Sequence, residues 1–456
     1  MRIPKLDKNF QPFIRTLEEY ERDVAAAEHT AEAAIAVKRN GDCYYVYRFR
    51  AFSDGAGQDM RNCLIAERIA KTILWTAGGY EIAVAGSDVI YDYIKRAYCA
   101  GGARAFDAEF MSGVYEQPFR VVKMRMDEVP QSEIRTVKAG GNLKGCRIGF
   151  DAGGSDRKVS AVIDGTVVYS EEVVWHPKMT KDPNYHFNGI LTAFQTAASK
   201  MPRVDGIGVS SAGVTVDNKM MVASLFIKVD KRKHGDFLKN IYINAAKEIG
   251  NVPLVVANDG DVTALAGSID LNDNCVLGIA MGTSEAVGYI NREGGLNGWL
   301  SELAFVPVDF SPQAMQDEWS GDRGVGCKYF SQDAVIKLAE AGGHVFEENA
   351  TPAEKLKEIQ ALMEQDNALA RQIYEDIGVY LAYTLPFYLR FYEVKHVLLL
   401  GRVTAGKGGA VLLESCKRTI AEEFPALKGL DISLPDEKNR RVGQSIAAAS
   451  LPPDIA

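Results

Sequence analysis

The residues best suited to chemistry lie between Asp151 and Lys158, directly after an apolar segment that predicts a buried strand. A carboxylate at a strand end suits Mg²⁺, which keeps most of its waters and bridges to phosphate. Gly153 and Gly154 leave room for backbone N–H groups to approach an anion. Because Ser155 and Lys158 add a hydroxyl group and a positive charge, the segment predicts a phosphate-binding hairpin, with Asp151 holding Mg²⁺ through water. The segment alone leaves open an ordinary hairpin with a glycine-rich turn.

A second copy of this pattern occupies residues 275–289, at a constant offset from the first. The second turn lacks the carboxylate, because Ala280 stands where Asp151 stands in the first copy. The duplication predicts two similar lobes that offer their turns to one nucleotide phosphate, with the metal held from one side only. The aligned pairs are Cys146 with Cys275, Gly149 with Gly278, Gly153 with Gly282, Ser155 with Ser284, and Asp156 with Glu285, and the second turn reads Gly282, Thr283, Ser284.

A second candidate centre is the pair Asn258 and Asp259, which follows a predicted buried strand and precedes a predicted helix starting near Val262. A carboxylate in this position can take a proton from a hydroxyl group while the neighbouring amide holds the same substrate. We therefore predict Asp259 as the catalytic residue and Asn258 as a substrate-binding residue. The alternative is that Asp259 or Asp261 serves as a helix N-cap, a position that aspartate and asparagine favour.

Three further segments place polar or small residues where ligands are expected. Residues 210–213 form a small-residue turn after a buried strand, where open α/β sheets bind ligands, and they predict Ser211 and Gly213 as substrate contacts. Glu302 lies in an apolar run and is either a partnered core residue or a ligand contact. Gly401 and Arg402 follow the apolar residues 397–400 and precede a glycine-rich loop and a helix, which predicts a nucleotide-binding segment.

Composition limits the function classes. The chain has 456 residues, 47% of them apolar and 25% charged, which is enough for two or three globular domains. The net charge of −8 argues against nucleic acid as a partner, because a phosphate backbone requires clustered lysine and arginine. The seven cysteines are dispersed without a C-x-x-C pair, which predicts reduced thiols and a cytoplasmic location. No apolar run resembles a signal or reaches membrane-spanning length, so no membrane partner is expected.

The alternation of helical and strand patterns predicts an α/β fold in three parts. Residues 1–142 form an N-terminal α/β module, residues 143–270 a first lobe completed by a C-terminal helix in 440–456, and residues 271–439 a second lobe. Within the module, residues 18–36 are predicted as a helix because they are charged and alanine-rich. The module shows no helix-turn-helix sequence pattern, and its residues indicate no catalytic or binding function.

Taken together, these motifs resemble the ROK family (repressor, open reading frame, kinase) over residues 146–456. The eight residues 151–158 match the family pattern D-x-G-G-T/S-x-x-K/R, residues 282–288 form a weaker second phosphate motif, and residues 400–403 resemble the adenosine motif. The resemblance implies a two-lobed actin-like ATPase (ribonuclease H-like) fold, with the N-terminal module as an addition. It also implies ATP and Mg²⁺ as cofactors and transfer of phosphate to a hydroxyl group of a sugar or polyol. Asp259 would act as general base, and Asn258 and Glu302 would orient the acceptor.

The sequence departs from the family pattern around its zinc loop. Glu302 matches the family's sugar-binding glutamate, but Phe305 replaces the histidine that binds both sugar and zinc. Only Cys327 remains of three zinc cysteines, and Tyr329 stands near a second sugar-binding glutamate. One cysteine without a histidine cannot form a tetrahedral site, so no zinc is predicted. The weakened second motif leaves a non-catalytic sugar-sensing regulator as the alternative, and an ATPase with another acceptor as a third hypothesis. A homodimer is implied by the resemblance alone.

Overall fold

The computed structural model describes residues 2–133, 140–434 and 437–453, with residues 437–442 described by their backbone only. The chain divides into two compact units. The first unit comprises Met1–Arg135, Ile279–Val287 and Trp299–Leu434. The second unit comprises Thr136–Gly278, Gly288–Gly298 and Pro435–Ala456.

The N-terminal part of the first unit is an α/β structure with one mixed sheet. The strand order is β2-β1-β3-β4, in which β1 runs antiparallel to β2 and β3, and β3 runs parallel to β4. The α/β character predicted for this region is confirmed. The elements are α1 (Phe13–Ala26), β1 (Thr30–Lys38), β2 (Tyr44–Phe52), α2 (Asp59–Ala77), β3 (Glu81–Ala85), α3 (Asp88–Ala97), α4 (Ala105–Tyr115) and β4 (Arg120–Met124).

The prediction of one helix over residues 18–36 is wrong in its second half. Helix α1 ends at Ala26, and strand β1 begins at Thr30. The alanines that suggested a helix lie in the middle of the sheet, where β1 is covered by a strand on each side and residues 33–37 are buried. Tertiary packing therefore overrides the intrinsic helix propensity of alanine in this segment. Helix α4 was not predicted.

The second unit is built on a five-stranded sheet of order β11-β8-β5-β6-β7. Strands β5, β8 and β11 run parallel, and β6 and β7 extend the sheet as antiparallel strands on one side. The elements are β5 (Cys146–Ala152), β6 (Asp156–Ile163), β7 (Thr166–Val174), α5 (Pro183–Ala198), β8 (Gly206–Ser211), β9 (Val214–Val216), β10 (Lys219–Val222), α6 (Lys231–Lys239), α7 (Ile241–Ile249), β11 (Leu254–Asn258) and α8 (Asp259–Leu271).

The remaining residues add a four-stranded sheet of order β13-β12-β14-β15, in which β14 and β15 are parallel. The boundary between the units falls within β12 and within β13. Helix α13 belongs to the second unit and packs on β5 and β8. The elements are β12 (Val276–Met281), β13 (Glu285–Ile290), α9 (Gln332–Ala341), α10 (Pro352–Glu364), α11 (Ala368–Tyr388), β14 (His396–Leu400), α12 (Gly406–Glu423), β15 (Asp431–Ser433) and α13 (Glu437–Ala449).

Two helices begin earlier than the sequence predicted. Helix α8 starts at Asp259 instead of near Val262, since Asn258 provides the cap. Residues 406–409, predicted as a loop, form the first turn of α12. Among the described residues, no helix combines the length and apolar character that crossing a membrane requires.

Candidate functional site

Asp151 lies at the end of β5, at the edge of the sheet where the parallel strands of the second unit terminate. Its neighbours in register are Ser210 on β8 and Lys158 on β6. The hydroxyl of Ser210 donates to Oδ1 of Asp151 at 2.8 Å, and the carboxylate is only 8% exposed. Burial raises the pKa of Asp151, while the Ser210 hydrogen bond and the charge of Lys158 act in the opposite direction. A positively charged ligand at this carboxylate would stabilise its ionised form.

The turn after Asp151 contains only Gly153, Gly154 and Ser155 between β5 and β6. A Cβ on Gly153 would lie 2.6 Å from the carbonyl oxygen of Asp156, so the close approach requires glycine. The two side chains predicted to contact phosphate are bound to Asp156. The Ser155 hydroxyl donates to its Oδ2 at 3.1 Å, and the Lys158 ammonium pairs with its Oδ1 at 3.0 Å. An anion at these side chains would therefore compete with the Asp156 carboxylate for the Ser155 hydroxyl and for one N–H of Lys158.

Asn258 occupies the junction between β11 and α8 and is the N-cap of the helix. Its Oδ1 accepts the N–H of Gly260 at 2.7 Å, and its Nδ2 donates to the carbonyl of Gly213 at 2.8 Å. The cap that the sequence assigned to Asp259 or Asp261 is thus made by Asn258. Asp259 is left as the first helical residue, half-buried, with its Oδ1 accepting the Gly260 N–H at 3.0 Å.

Asp151 and Asp259 lie at the same edge of the sheet. The register aligns Asn258 with Ser211 on β8, and Ser211 with Ala152 on β5. Burial, and then the negative charge of Asp151, raise the pKa of Asp259 to about 6. A carboxylate whose pKa lies near neutrality is suited to accept a proton at physiological pH. The sequence predicted each of these carboxylates at the end of a buried strand, and the structure places both strand ends at one edge of the same sheet.

The neighbouring predicted contacts, Ser211 and Gly213, have structural partners. The Ser211 hydroxyl is buried and hydrogen-bonded to the Tyr242 hydroxyl at 2.8 Å. Gly213 has φ +127°, and a Cβ there would collide with the carbonyl oxygen of Val222. Both residues therefore shape the edge of the sheet beside Asn258 through contacts within the second unit.

The first unit brings together the other two predicted nucleotide segments. Gly282, Thr283 and Ser284 connect β12 to β13, and Gly401 and Arg402 follow β14, the neighbour of β12 in the sheet. The Arg402 guanidinium donates to the Thr283 hydroxyl at 2.8 Å. Gly401 has φ +93°, and a Cβ there would lie 2.6 Å from the backbone nitrogen of Met281. The close approach of these two turns depends on that glycine.

Glu302 and Glu285, a residue of the second glycine motif to which the sequence assigned no role, also lie in the first unit. Glu302 is half-buried, and its N–H donates to the carbonyl of Trp75 at 3.0 Å. Glu285 is 3% exposed; its Oε1 accepts from the Tyr388 hydroxyl at 3.5 Å, and its Oε2 has no hydrogen-bond partner among the described residues. Burial chiefly, with the charge of Glu302, raises the pKa of Glu285 to about 8. The sequence signal that could have identified Glu285 is its position, directly after a glycine turn and at the start of a buried strand.

Comparison with known proteins shows which fold this is. The sequence matches no protein-family model and no curated protein. The structure is similar to an ROK hexokinase from Thermus thermophilus, with TM-score 0.51, 16% identity and coverage of 66% of this chain and 97% of the hexokinase. It is equally similar to an ROK family transcriptional regulator described as a homolog of the E. coli MLC protein, with TM-score 0.51, 18% identity and coverage of 68% and 79%.

The chain has the ROK fold. This confirms the fold class predicted from the sequence, the two-lobed actin-like architecture. A likeness at 16–18% identity establishes the fold alone, and the two similar structures differ in kind, one a kinase and one a regulator. The assignment of an activity therefore depends on the residues of this chain.

The three residues at which the sequence departs from the expected zinc pattern, Phe305, Cys327 and Tyr329, have partners within the protein. Phe305 packs on Trp75, with ring centroids 4.2 Å apart. The Cys327 thiol donates to Oδ1 of Asp317 at 3.6 Å, and the Tyr329 hydroxyl donates to Asp309 at 2.6 Å. In the part of the chain that the structure describes, no three His, Cys, Asp or Glu residues are grouped so as to hold a metal ion.

Proposed function

We propose that this protein is a member of the ROK family and an ATP-dependent kinase that phosphorylates a hydroxyl group of a sugar or sugar-like polyol. The observation that supports this most strongly is the carboxylate edge of the second unit. Asp259 there follows a parallel strand end, is half-buried, and has a pKa raised to about 6 by burial and by Asp151. A group of this kind is mostly ionised at pH 7, and its carboxylate can accept the proton of a substrate hydroxyl group.

Asp151 fits the role of the Mg²⁺ residue. Its carboxylate is buried beside Ser210, and burial disfavours its ionised form, which a nearby cation would restore. Mg²⁺ bound there through water would neutralise charge on the transferred phosphate. The residues of the chain would then bind and orient the acceptor hydroxyl group and take its proton at the Asp259 carboxylate.

The glycine turns supply the remaining contacts to nucleotide in this proposal. Gly153, Gly154, Ser155 and Lys158 would bind phosphate after Asp156 gives way to it. The contacts from the first unit would come from Gly282, Thr283, Ser284, Gly401 and Arg402. Since little covalent chemistry is required of a kinase, these contacts would act by positioning the phosphates and neutralising their charge.

A sugar-sensing regulator is the second candidate. Two observations favour it: one of the similar structures is an ROK transcriptional regulator, and Ser155 and Lys158 are bound to Asp156 instead of being free for phosphate. Retention of Asp151 and Asp259 at one sheet edge favours the kinase, because a sensor requires neither a metal-binding carboxylate nor a general base.

The deciding experiment is release of ADP and formation of sugar phosphate with ATP, Mg²⁺ and a panel of sugars and polyols. The acceptors would first be ranked by the rise in the unfolding midpoint that each causes with and without the nucleotide. Stabilisation by ATP and Mg²⁺ that one sugar increases, followed by transfer to that sugar, is the expected result. Stabilisation by a sugar without any response to nucleotide would contradict the kinase and favour the sensor.

The first prediction concerns Asp259→Asn, which removes the proton acceptor and keeps the shape of the side chain. We expect kcat to fall by about 100- to 10,000-fold with acceptor affinity retained. Asp261→Asn is the matched control, because Asp261 lies on the same helix, has a pKa raised to about 7 by burial, and is bound to the N–H of Tyr289 at 3.1 Å. An active Asp259→Asn enzyme, measured by initial rates with both substrates saturating, would exclude the proposed base.

A further inference from the structure

Helix α2 of the N-terminal module is buried along almost its whole length, including its polar residues. Asn62, Glu67, Arg68, Lys71 and Thr72 are each no more than 7% exposed. A helix of a peripheral domain normally keeps one polar face in water. The burial of α2 on all sides indicates that it is an internal element of the first unit, packed between the N-terminal sheet and another segment.

That other segment is the Glu302 loop, which we define as residues 299–330. The carbonyl oxygens of Trp75 and Thr76, at the C-terminal end of α2, accept the N–H groups of Glu302 at 3.0 Å and of Ser301 at 2.9 Å. The last carbonyls of a helix have no partner within the helix and must find one elsewhere. Here the backbone N–H groups of Ser301 and Glu302 are those partners.

The conformation at Ser301 shows that the loop depends on this attachment. Ser301 has φ +50°, in the left-handed region that a residue with a side chain rarely adopts. Such a conformation persists when surrounding contacts hold it in place. The hydrogen bonds to Thr76 and Trp75 are made at this residue and at the next one, and the tilted contact of the Phe305 ring with Trp75, with 4.2 Å between centroids, holds the same arm four residues after Ser301.

The second arm of the Glu302 loop is attached to α2 by a buried ionic cluster. Asp322, 6% exposed, pairs with Arg68 at 2.8 Å and with Lys71 at 3.3 Å on α2, and with Arg104 at 3.0 Å. Glu67 and Asp107 complete the cluster, so that three cations face three carboxylates. Burial opposes ionisation of Asp322, but the charges of Arg68 and Lys71 outweigh it and lower its pKa. Asp322 is therefore an ionised anchor for the loop.

The two arms are joined to each other, so an anchor on one restrains the other. The N–H of Val308 donates to the carbonyl of Gly324 at 2.7 Å, and the N–H of Gly326 donates to the carbonyl of Val306 at 3.0 Å. Pro307 and Val325 form an antiparallel bridge between these bonds. Helix α2 is thus attached to this short two-stranded segment at two places, beside Glu302 on one arm and at Asp322 on the other.

We propose that helix α2 positions Glu302 for contact with the hydroxyl groups of the acceptor, with Asp322 and Trp75 as positioning residues. This inference rests on the proposed function, in which Glu302 orients the acceptor. It gives the N-terminal module a role within the acceptor site, as the support of a carboxylate that forms hydrogen bonds with a polyhydroxylated substrate. In this proposal, a displacement of α2 changes the affinity for the acceptor, and the Asp259 carboxylate that accepts the proton is unchanged.

The test compares Asp322→Asn with Asp376→Asn in the full-length protein. Asp376 is a matched control because it is a carboxylate of the same unit, 1% exposed, and accepts N–H groups of the N-terminal segment from Lys5 at 3.0 Å and Leu6 at 2.7 Å. Hydrogen–deuterium exchange at the amides of Ser301 and Glu302 reports the attachment to α2 directly. KM and kcat for the best acceptor, measured on the same samples, report its consequence.

We expect Asp322→Asn to speed exchange at Ser301 and Glu302 and to raise KM for the acceptor about tenfold with kcat within about twofold. Asp376→Asn should change neither. Phe305→Leu, which keeps an apolar side chain beside Trp75, is the second variant should Asn at position 322 prevent folding, and the same direction of change is expected. Unchanged exchange and unchanged KM in a folded variant, beside an active wild type, would overturn the positioning role. A wild type that transfers phosphate to no acceptor would overturn the proposed function instead.

Discussion

The two glycine turns share a sequence pattern, yet the acid that follows each turn has a different environment. In the second unit, Asp156 pairs with Lys158 at 3.0 Å and accepts from Ser155. In the first unit, the corresponding Glu285 is 3% exposed, has an oxygen without a partner, and has a pKa raised to about 8. The first acid is thus part of a partly buried ion pair, and the second is a buried carboxyl group whose raised pKa favours the neutral form at pH 7. A duplicated motif therefore fixes the backbone turn but not the charge beside it.

The largest effect that distinguishes the turns is expected from Glu285→Gln. The folded-state pKa of Glu285 lies above its ordinary value of 4.5, so the folded protein binds more protons than the unfolded chain between about pH 4.5 and 8. The free energy of unfolding therefore falls as pH rises through this window, by at most about 1.4 kcal/mol per pH unit. The glutamine variant should lose that slope and be more stable than the wild type above pH 8. Urea titrations at several pH values measure it, and an unchanged slope would show that Glu285 ionises without penalty.

A smaller effect on the free energy of unfolding is expected when one glycine of each turn is replaced by alanine. Gly153→Ala places a Cβ 2.6 Å from the Asp156 carbonyl, whereas the same change at Gly282 meets no atom closer than 3.7 Å. We expect Gly153→Ala to lower the free energy of unfolding by about 1–3 kcal/mol, and Gly282→Ala to change it by less than about 0.5 kcal/mol. Both values come from chemical denaturation of the two variants side by side. Equal losses would mean that the turns are equally tight.

The smallest effect concerns the affinity for nucleotide. Asp156→Asn removes the carboxylate that binds Ser155 and Lys158, so the two side chains become available to phosphate. Because the ion pair is only partly buried, we expect the Kd for ATP with Mg²⁺ to fall by about two- to fivefold. Isothermal titration calorimetry gives the value, with Glu171→Gln, on the neighbouring strand β7, as a charge-matched control. Weaker binding in Asp156→Asn would assign Asp156 to the nucleotide site itself.

The sequence predicts features that depend on neighbours along the chain. Asp151 and Asp259 were each predicted to follow a buried strand, which requires only that each strand be recognised, and their common sheet edge follows from the parallel pairing of β5, β8 and β11. The cap at Asn258 was assigned one or three residues too late, since asparagine and aspartate stand together there and only the hydrogen bond to Gly260 distinguishes them.

Features that depend on distant contacts were not predictable. Strand β1 was mistaken for a helix because its alanines favour a helix until two strands flank them. The ion pair of Arg68 with Asp322 joins residues 254 positions apart, and neither residue lies in a local sequence pattern that predicts the pair. The charge state of Glu285 likewise follows from its burial, which a single sequence does not reveal.

Helix α13 has a consequence for the order in which the chain becomes compact during synthesis. A Cβ on Gly149 would collide with the carbonyl of Ser445, and a Cβ on Gly208 would collide with the carbonyl of Ala448, so the helix lies directly on β5 and β8. Ser160 and Ser445 share a hydrogen bond of 2.8 Å across 285 residues. At ribosomal rates the first strands wait roughly 15 to 60 s for this helix. Until α13 is synthesised, the glycine-lined face of β5 and β8 lacks the helix that covers it in the folded protein.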